Sequence, residues 1–449
     1  MVPWAQRRHA AHTLRKLEQI CLFSLLVLTE ALTASVNADP ALALGPVVGG
    51  VTASEAKIFV RTDQAASVAV RYATRPDLRN YKTSETFTTD ATSDFTKVIP
   101  LTDLASEKTY YLDVQVNGVA QLASPYPSFN TFAPAGSPRN FKFVVLSDFS
   151  TIRNLTEPSQ TFFSAAATDP AFAFIGGDFD HRDPKTIAAR RVMFQQLYDG
   201  STSFMDGFTD SILRRMPIMH QWDDHDTGGN NTDRKYPRWS QSQQVFEEYV
   251  PSYPLPAVTP GIWQKFSYAQ VDGFILDCRS QRDINTDPDD SAKSMLDGNA
   301  LGATGQLQWL EDSLLASSAR WKVIFSSVIS NPSTKFPDGW AGYQTEWKAL
   351  KRFITSNQIS GVIIVSGDLH LGAIDNGTQS GFPEMCLSQA NGLGGCPTAA
   401  YGRWSEGYYK DDTCRGFGLI DVATNPDRLT LEVADEFGNI KISYTVSGN

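Results

Sequence analysis

The 449-residue sequence predicts a two-part protein, all-β over residues 42–135 and α/β over residues 140–449. Two textures carry this division. Short alternating apolar runs, separated by Gly, Asn, Asp and Pro, fill the first part. Unbroken apolar runs of buried-strand type, interleaved with helical patterns, fill the second. Between them, Ala133-Pro-Ala-Gly-Ser-Pro138 reads as the linker.

Residues 1–38 come before both parts and read as a secretory signal peptide. Arg7, Arg8, Arg15 and Lys16 make a basic start, residues 20–28 an apolar run, and Val36-Asn37-Ala38 a cleavage site of small residues. A bilayer core needs ~20 apolar residues, this run is far shorter, and Glu30 interrupts any extension. No stable membrane anchor is expected. The mature protein is expected outside the cell, or in the periplasm if the source is bacterial.

In the first part, residues 57–61, 67–72, 95–99 and 109–115 alternate as half-buried strands do. About seven strands at this spacing point to a fibronectin- or immunoglobulin-type sandwich. In the second part, buried strands are expected at 141–146, 171–175, 274–276, 323–328 and 362–365. Helices are expected at 187–198, 306–316 and 345–355. That order implies a largely parallel sheet covered on both faces. Trp222, Trp309, Trp340 and Trp347 are expected as core or pocket wall, and the acidic run 287–290 as a solvated loop.

Composition narrows the function. Hydrophobic residues make up 41% and charged residues 20%, which excludes a disordered or fibrous chain. The net charge of −10 argues against general nucleic-acid binding, because phosphate backbones need basic surface. Past the leader, Cys278, Cys386, Cys396 and Cys414 remain, an even number suited to an oxidising compartment, with one local disulfide expected among the last three. Asn154, Asn230 and Asn376 head glycosylation tripeptides.

Chemistry gathers where the apolar runs stop. Residues 143–147 lead into Asp148, and residues 172–175 into Gly176-Gly-Asp178-Phe-Asp-His181. Residues 216–219 lead into His220-Gln-Trp-Asp-Asp224-His225-Asp226, and residues 362–365 into Ser366-Gly-Asp368-Leu-His370. Ligands of open α/β sheets bind at the carboxyl ends of strands. A single Asp in such a place is most often a turn or cap residue, and a lone His220 most often a core residue. Four coincident strand ends, however, would bring so many carboxylates and imidazoles together that they would repel or change protonation unless cations sat among them. A shared metal cluster is expected.

These blocks resemble the calcineurin-like metallophosphoesterases. The form Trp222-Asp-Asp-His225-Asp226 with Asn230-Asn231 resembles the PhoD-type alkaline phosphatases in particular. So do Leu276-Asp-Cys-Arg279-Ser-Gln-Arg282, Gln308-Trp309-Leu310, Trp321-Lys-Val-Ile324 and Trp340-Ala341-Gly342-Tyr343. The resemblance implies phosphoester hydrolysis, a fibronectin-like domain ahead of the catalytic one, and a four-layer αββα catalytic sandwich. The chain departs from the family at Ser147, where Cys is frequent at or beside the first block, at His181, where Tyr is usual, and at Ala341, where Asp is expected.

On that reading, Asp178 bridges two cations. Asp148, His181 and His370 complete a mixed N/O site for iron, zinc or manganese. Asp224, Asp368 and Asn231 complete an oxygen-rich site for calcium, magnesium or manganese. His225 is the candidate to stabilise the phosphoryl group or protonate the leaving oxygen. Arg279 and Arg182 are the candidates to fork onto phosphate oxygens. The expected substrates are small phosphomonoesters or diesters. The alternative is a secreted binding protein with a decayed site.

Overall fold

Alternation along each strand decides which face it buries, and this positions everything else. The computed structural model describes residues 38–150, 159–200, 205–257, 260–297, 305–392, 396 and 401–448. The predicted leader (up to residue 37) and the Asn154 tripeptide lie outside the described residues. Residues 41–449 make up one compact unit.

Nine strands occupy the first part, where the alternating runs led us to expect about seven. Leu42–Gly49, Ala56–Thr62 and Thr96–Leu101 pair as one antiparallel sheet. A second sheet is built on Ala66–Ala73 and Thr109–Val116. Ile58, Val60 and Ile99 of the first sheet share one apolar cluster with Val68, Val70, Leu112 and Val114 of the second. Phe59 points the other way and meets Tyr198 and Tyr249 of the α/β part, at ring distances of 5.5 and 5.4 Å.

Two larger sheets follow. One orders Ile218–Gln221, Ala173–Gly176, Phe141–Leu146, Gly416–Thr424, Asp427–Asp435 and Ile440–Ser447. The other orders Gln264–Tyr268, Val271–Ile275, Trp321–Ser326, Val362–Ser366, Pro383–Cys386, Ala373–Asn376 and Gly407–Tyr408. The expectation of one largely parallel sheet is corrected. The first three strands of one sheet run parallel, as do Val271–Ile275 through Pro383–Cys386 of the other, and the remaining pairs are antiparallel. The antiparallel strands were overlooked because hairpins need no helical crossover to mark them.

The layers follow from residue parity. Phe143, Val145 and Phe174 face Val323, Phe325, Ile363 and Val365 across the gap between sheets, where Phe174 stacks on Phe325 at 3.9 Å. The opposite-parity residues Val144, Leu146, Ala173 and Ile175 pack under helices Thr161–Ala167, Ile187–Asp199 and Trp239–Tyr249. Phe274, Ile324 and Ile364 pack under helices Gln306–Ala316 and Gln344–Ser356. The order is helix, sheet, sheet, helix. Each fully buried Phe, Leu or Ile contributes about 1.5–3 kcal/mol through removal from water.

The sheet-to-sheet core continues into the first part through Phe132, whose ring lies 5.7 Å from Phe172 and 4.6 Å from Tyr268. The segment expected as a linker is folded back onto the body, with Gly136 N–H donating to the carbonyl of Ala269. The local disulfide is Cys396–Cys414, with Cα atoms 5.0 Å apart, while Cys278 and Cys386 are buried thiols. Trp222, Trp340 and Trp347 are buried as expected. Among the described residues, no helix is long and apolar enough to cross a membrane.

Candidate metal centre

The parallel strands of both sheets end at one edge, and the predicted residues meet there. Asp148 follows Phe141–Leu146, and Asp178 and His181 follow Ala173–Gly176. Asp224 and His225 follow Ile218–Gln221, Arg279 follows Val271–Ile275, and Asp368 and His370 follow Val362–Ser366. The sheets touch at this edge: Gln221 Nε2 donates to the carbonyls of Leu276 and Phe325, at 2.6 and 3.0 Å.

Tight backbone turns aim the side chains. Asp148, Asp178, Asn231, Asp368 and His370 all lie in the left-handed region, with φ between 48° and 68°. Such a conformation costs non-glycine residues energy and clusters at functional sites. Gly177, just before Asp178, has φ of 95°, and a Cβ there would lie 2.7 Å from the Cβ of Asp223. Only glycine lets these two strand ends approach so closely.

Ligand-type atoms fall into overlapping groups whose members all lie within 4.8 Å of one another: Asp148, Asp178, His181 and His370; Asp178, Asp224 and His225; Asp223, Asp224 and Asp368. Asp178 joins the first group to the second, and Asp224 the second to the third. His181 Nδ1 faces the carbonyl of Phe149 at 2.8 Å, which orients the ring and leaves Nε2 facing Asp178. His370 Nε2 lies 3.1 Å from Asp148 Oδ1. Asn231 N–H donates to Asp224 Oδ2 at 2.6 Å. Turning its side-chain amide over would place the nitrogen 3.0 and 3.1 Å from the Asp338 oxygens, where it can donate, and leave the carbonyl oxygen as its ligand-type atom.

Four of these buried atoms make no hydrogen bond: Asp148 Oδ1, Asp178 Oδ2, His181 Nε2 and Asp368 Oδ2. Buried polar atoms are nearly always partnered. An orphaned set made of carboxylate oxygens and an imidazole nitrogen fits metal cations.

The electrostatics agree. Burial, reinforced by Asp178, pushes Asp148 up to about 8. Burial also acts on Asp178, but the close contact and charge of His181, 3.5 Å away, hold it well below the usual carboxylate range. Burial lowers His370 to about 3, with help from the charge of His181. His181 rises to about 10 because Asp178 and Asp148 outweigh its desolvation. A buried pocket with this many ionisable groups cannot keep them all at their ordinary charge.

The two candidate catalytic side chains occupy different positions. His225 faces the metal-ligand groups, with its ring 4.6 Å from that of His181, and its Nδ1 lies 2.6 Å from Asp183 Oδ1. Arg279 is fully buried behind the carboxylates. It forks onto Asp223, donates to both oxygens of Asp338 at 3.0 and 3.1 Å, and lies 3.3 Å from Asp224 and 3.6 Å from Asp368. Arg182 turns instead to Asp180 and Gln196. His220 is a core residue, packed among Phe179, Phe194 and Phe246.

Sequence reading missed Asp183, Asp223, Lys335 and Asp338. Asp338 accepts from both Arg279 and Arg282. Lys335 donates to Asp368 Oδ1 at 2.9 Å. A signal for Asp338 was present, since it lies three residues before Ala341, where the family pattern led us to expect an Asp.

Fold and pocket together define a class, a helix–sheet–sheet–helix sandwich with a carboxylate- and histidine-lined site at the strand ends. Residues 181–387 match the model of the PhoD-like phosphatase family, so the resemblance read from the sequence holds. Residues 39–134 match a domain of unknown function (DUF7800). The chain is similar to alkaline phosphatase D of Bacillus subtilis (strain 168), 27% identical over 181 residues, which cover 34% of this chain and 31% of that protein. The match thus spans about a third of the curated relative's length. Its fold is similar to a solved structure of PhoD, with a TM-score of 0.71 at 16% identity over 92% of this chain and 91% of the other. It is also similar to a purple acid phosphatase from yellow lupin (Lupinus luteus) seeds, with a TM-score of 0.64 at 15% identity over 91% and 74%.

Proposed function

We propose that this chain is a metal-dependent phosphoric ester hydrolase, exported from the cell, acting on small phosphomonoesters or phosphodiesters. The observation that carries the reading is the pocket where Asp148, Asp178, His181, Asp224, Asp368 and His370 converge around ligand atoms that make no hydrogen bond. The PhoD-like match over residues 181–387 supports it. The binding-protein alternative is not favoured, because the ligand-type side chains converge.

Asp148, Asp178, His181 and His370 offer a mixed N/O donor set suited to iron, zinc or manganese. Asp178, Asp224, Asp368 and Asn231 offer an oxygen-rich set suited to calcium, magnesium or manganese. Cations bound there would supply the positive charge that holds phosphate oxygens and makes water nucleophilic. His225 then has a defined task. Its Nδ1–H donates to Asp183, and although burial opposes charge, Asp178 and Asp224 raise the ring above its ordinary value, so the imidazolium can give its Nε2 proton to the leaving oxygen and remain held at Nδ1. Arg279 holds Asp223 and Asp224 in place, which makes it a positioning residue on this reading. The first part, proposed as a fibronectin- or immunoglobulin-type domain over 42–135, braces an αββα catalytic domain over 140–449.

The test is p-nitrophenol release from matched mono- and diester substrates, before and after chelation. Turnover is expected to vanish with chelator and return with added metal, and Asp178→Asn is expected to lower kcat by at least about 10²-fold. Turnover that survives exhaustive chelation would overturn the reading.

A further inference from the structure

We infer that Lys335 is a specificity-determining residue that contacts the phosphate and favours dianionic monoesters over monoanionic diesters. The inference rests on the hydrolase reading above. Cations at the site differ in what they can still reach. Arg279 and Arg282 are both fully buried and directed to Asp223, Asp338 and the carbonyl of Thr232. Arg182 is committed to Asp180 and Gln196. Lys335 is the exception. Its side chain is 32% exposed, yet its Nζ lies 2.9 Å from Asp368 Oδ1, inside the ligand groups. Among the described residues, it is the one solvent-reachable Lys or Arg paired with a carboxylate of those groups.

The ammonium carries three donors. One goes to Asp368, and no other acceptor among the described residues takes the remaining two. The backbone holds the group in place. Lys335 sits at φ 52° and accepts from Gly339 N–H at 2.8 Å, and Asp338 in the same turn is pinned by two buried arginines. A phosphate held by cations at the Asp223–Asp224–Asp368 group would therefore meet a pre-placed ammonium beside Asp368. At mildly alkaline pH a monoester carries close to two charges, since its second pKa is about 6, and a diester carries one. The attraction of one ammonium scales with that charge.

The test compares the full chain with Lys335→Met and Lys335→Arg. Two readouts are needed: kcat/KM on p-nitrophenyl phosphate against bis-p-nitrophenyl phosphate, and calorimetric Kd for inorganic phosphate, with metal content measured on each protein. Lys335→Met is expected to weaken inorganic phosphate by about tenfold or more, the size of a charge-assisted hydrogen bond. The monoester-to-diester ratio is expected to fall alongside it at unchanged metal content, and Lys335→Arg to restore most of both. An unchanged phosphate Kd overturns the inference. So does an equal fall on both esters accompanied by metal loss, which would make Lys335 only a prop for Asp368. If the parent chain hydrolyses neither ester, the hydrolase reading fails instead, and the phosphate Kd alone upholds or overturns the role of Lys335.

Discussion

A fully buried guanidinium among four carboxylates sets the charge balance of the pocket. Arg279 bonds to Asp223 and Asp338 and lies against Asp224 and Asp368. Removing one partner of a buried ion network leaves charge uncompensated, which costs about 3–5 kcal/mol. Arg279→Met is therefore expected to lower the unfolding free energy of the metal-stripped protein by that amount in urea titration. A loss below about 1 kcal/mol would show that the acids neutralise themselves by taking up protons instead. At this scale the sequence was legible wherever a local pattern exists. An apolar run that stops at an acid exposes Asp148, Asp178, Asp224 and Asp368 to a reader of the chain. Asp183, Lys335 and Asp338 lie in loops after the strand ends, and only the tertiary fold carries them into the site. Asp223 stood in plain view, but its meaning depends on Arg279, 56 residues further on.

Helices were the most legible elements, because a period of 3.6 survives in the sequence. Gln306–Ala316 coincides with its expected span, and Ile187–Asp199 and Gln344–Ser356 extend theirs by one or two residues. Trp239–Tyr249 was overlooked, although its buried Trp239, Ser242, Gln243, Val245, Phe246 and Tyr249 line one face. The polar pair hides the stripe. The acidic loop 287–290 is exposed as expected, yet Asp289 accepts from the N–H groups of Gln344 and Thr345 and so caps a helix start. In that helix, Glu346 turns inward to the N–H groups of Met295 and Leu296. Burial pushes it up to about 7. A carboxyl raised on folding contributes stability that is complete below its unfolded pKa and is lost as pH rises through the folded value. The parent should therefore lose on the order of 2 kcal/mol at this residue between pH ~5 and pH ~9. Glu346→Gln, of similar shape and uncharged, should lose less stability over that interval. Unfolding curves at the two pH values check this, and an identical pH dependence in both proteins would contradict it.

Across the whole molecule, the change from short alternating strands to a helix-and-strand order and the convergence of acidic strand ends were legible, and the connectivity between sheets was less so. The three final strands, Gly416–Thr424, Asp427–Asp435 and Ile440–Ser447, extend the Asp148-bearing sheet on its far side. Their exposed alternation on Ile440–Ser447 resembles the first part more than a buried sheet. The linker reading failed to foresee that Phe132 and Gly136 pack onto the α/β body, since Pro and Gly mark a turn without saying what the turn rests on. Cations held at the site would offset the acidic charge gathered there. The most direct measurement is the metal content of the purified full chain by plasma mass spectrometry, set beside Asp178→Asn. The account predicts about two tightly held ions per chain, the count a shared carboxylate supports, and at most about one in Asp178→Asn. A chain that turns over phosphoesters while holding essentially no metal would contradict it.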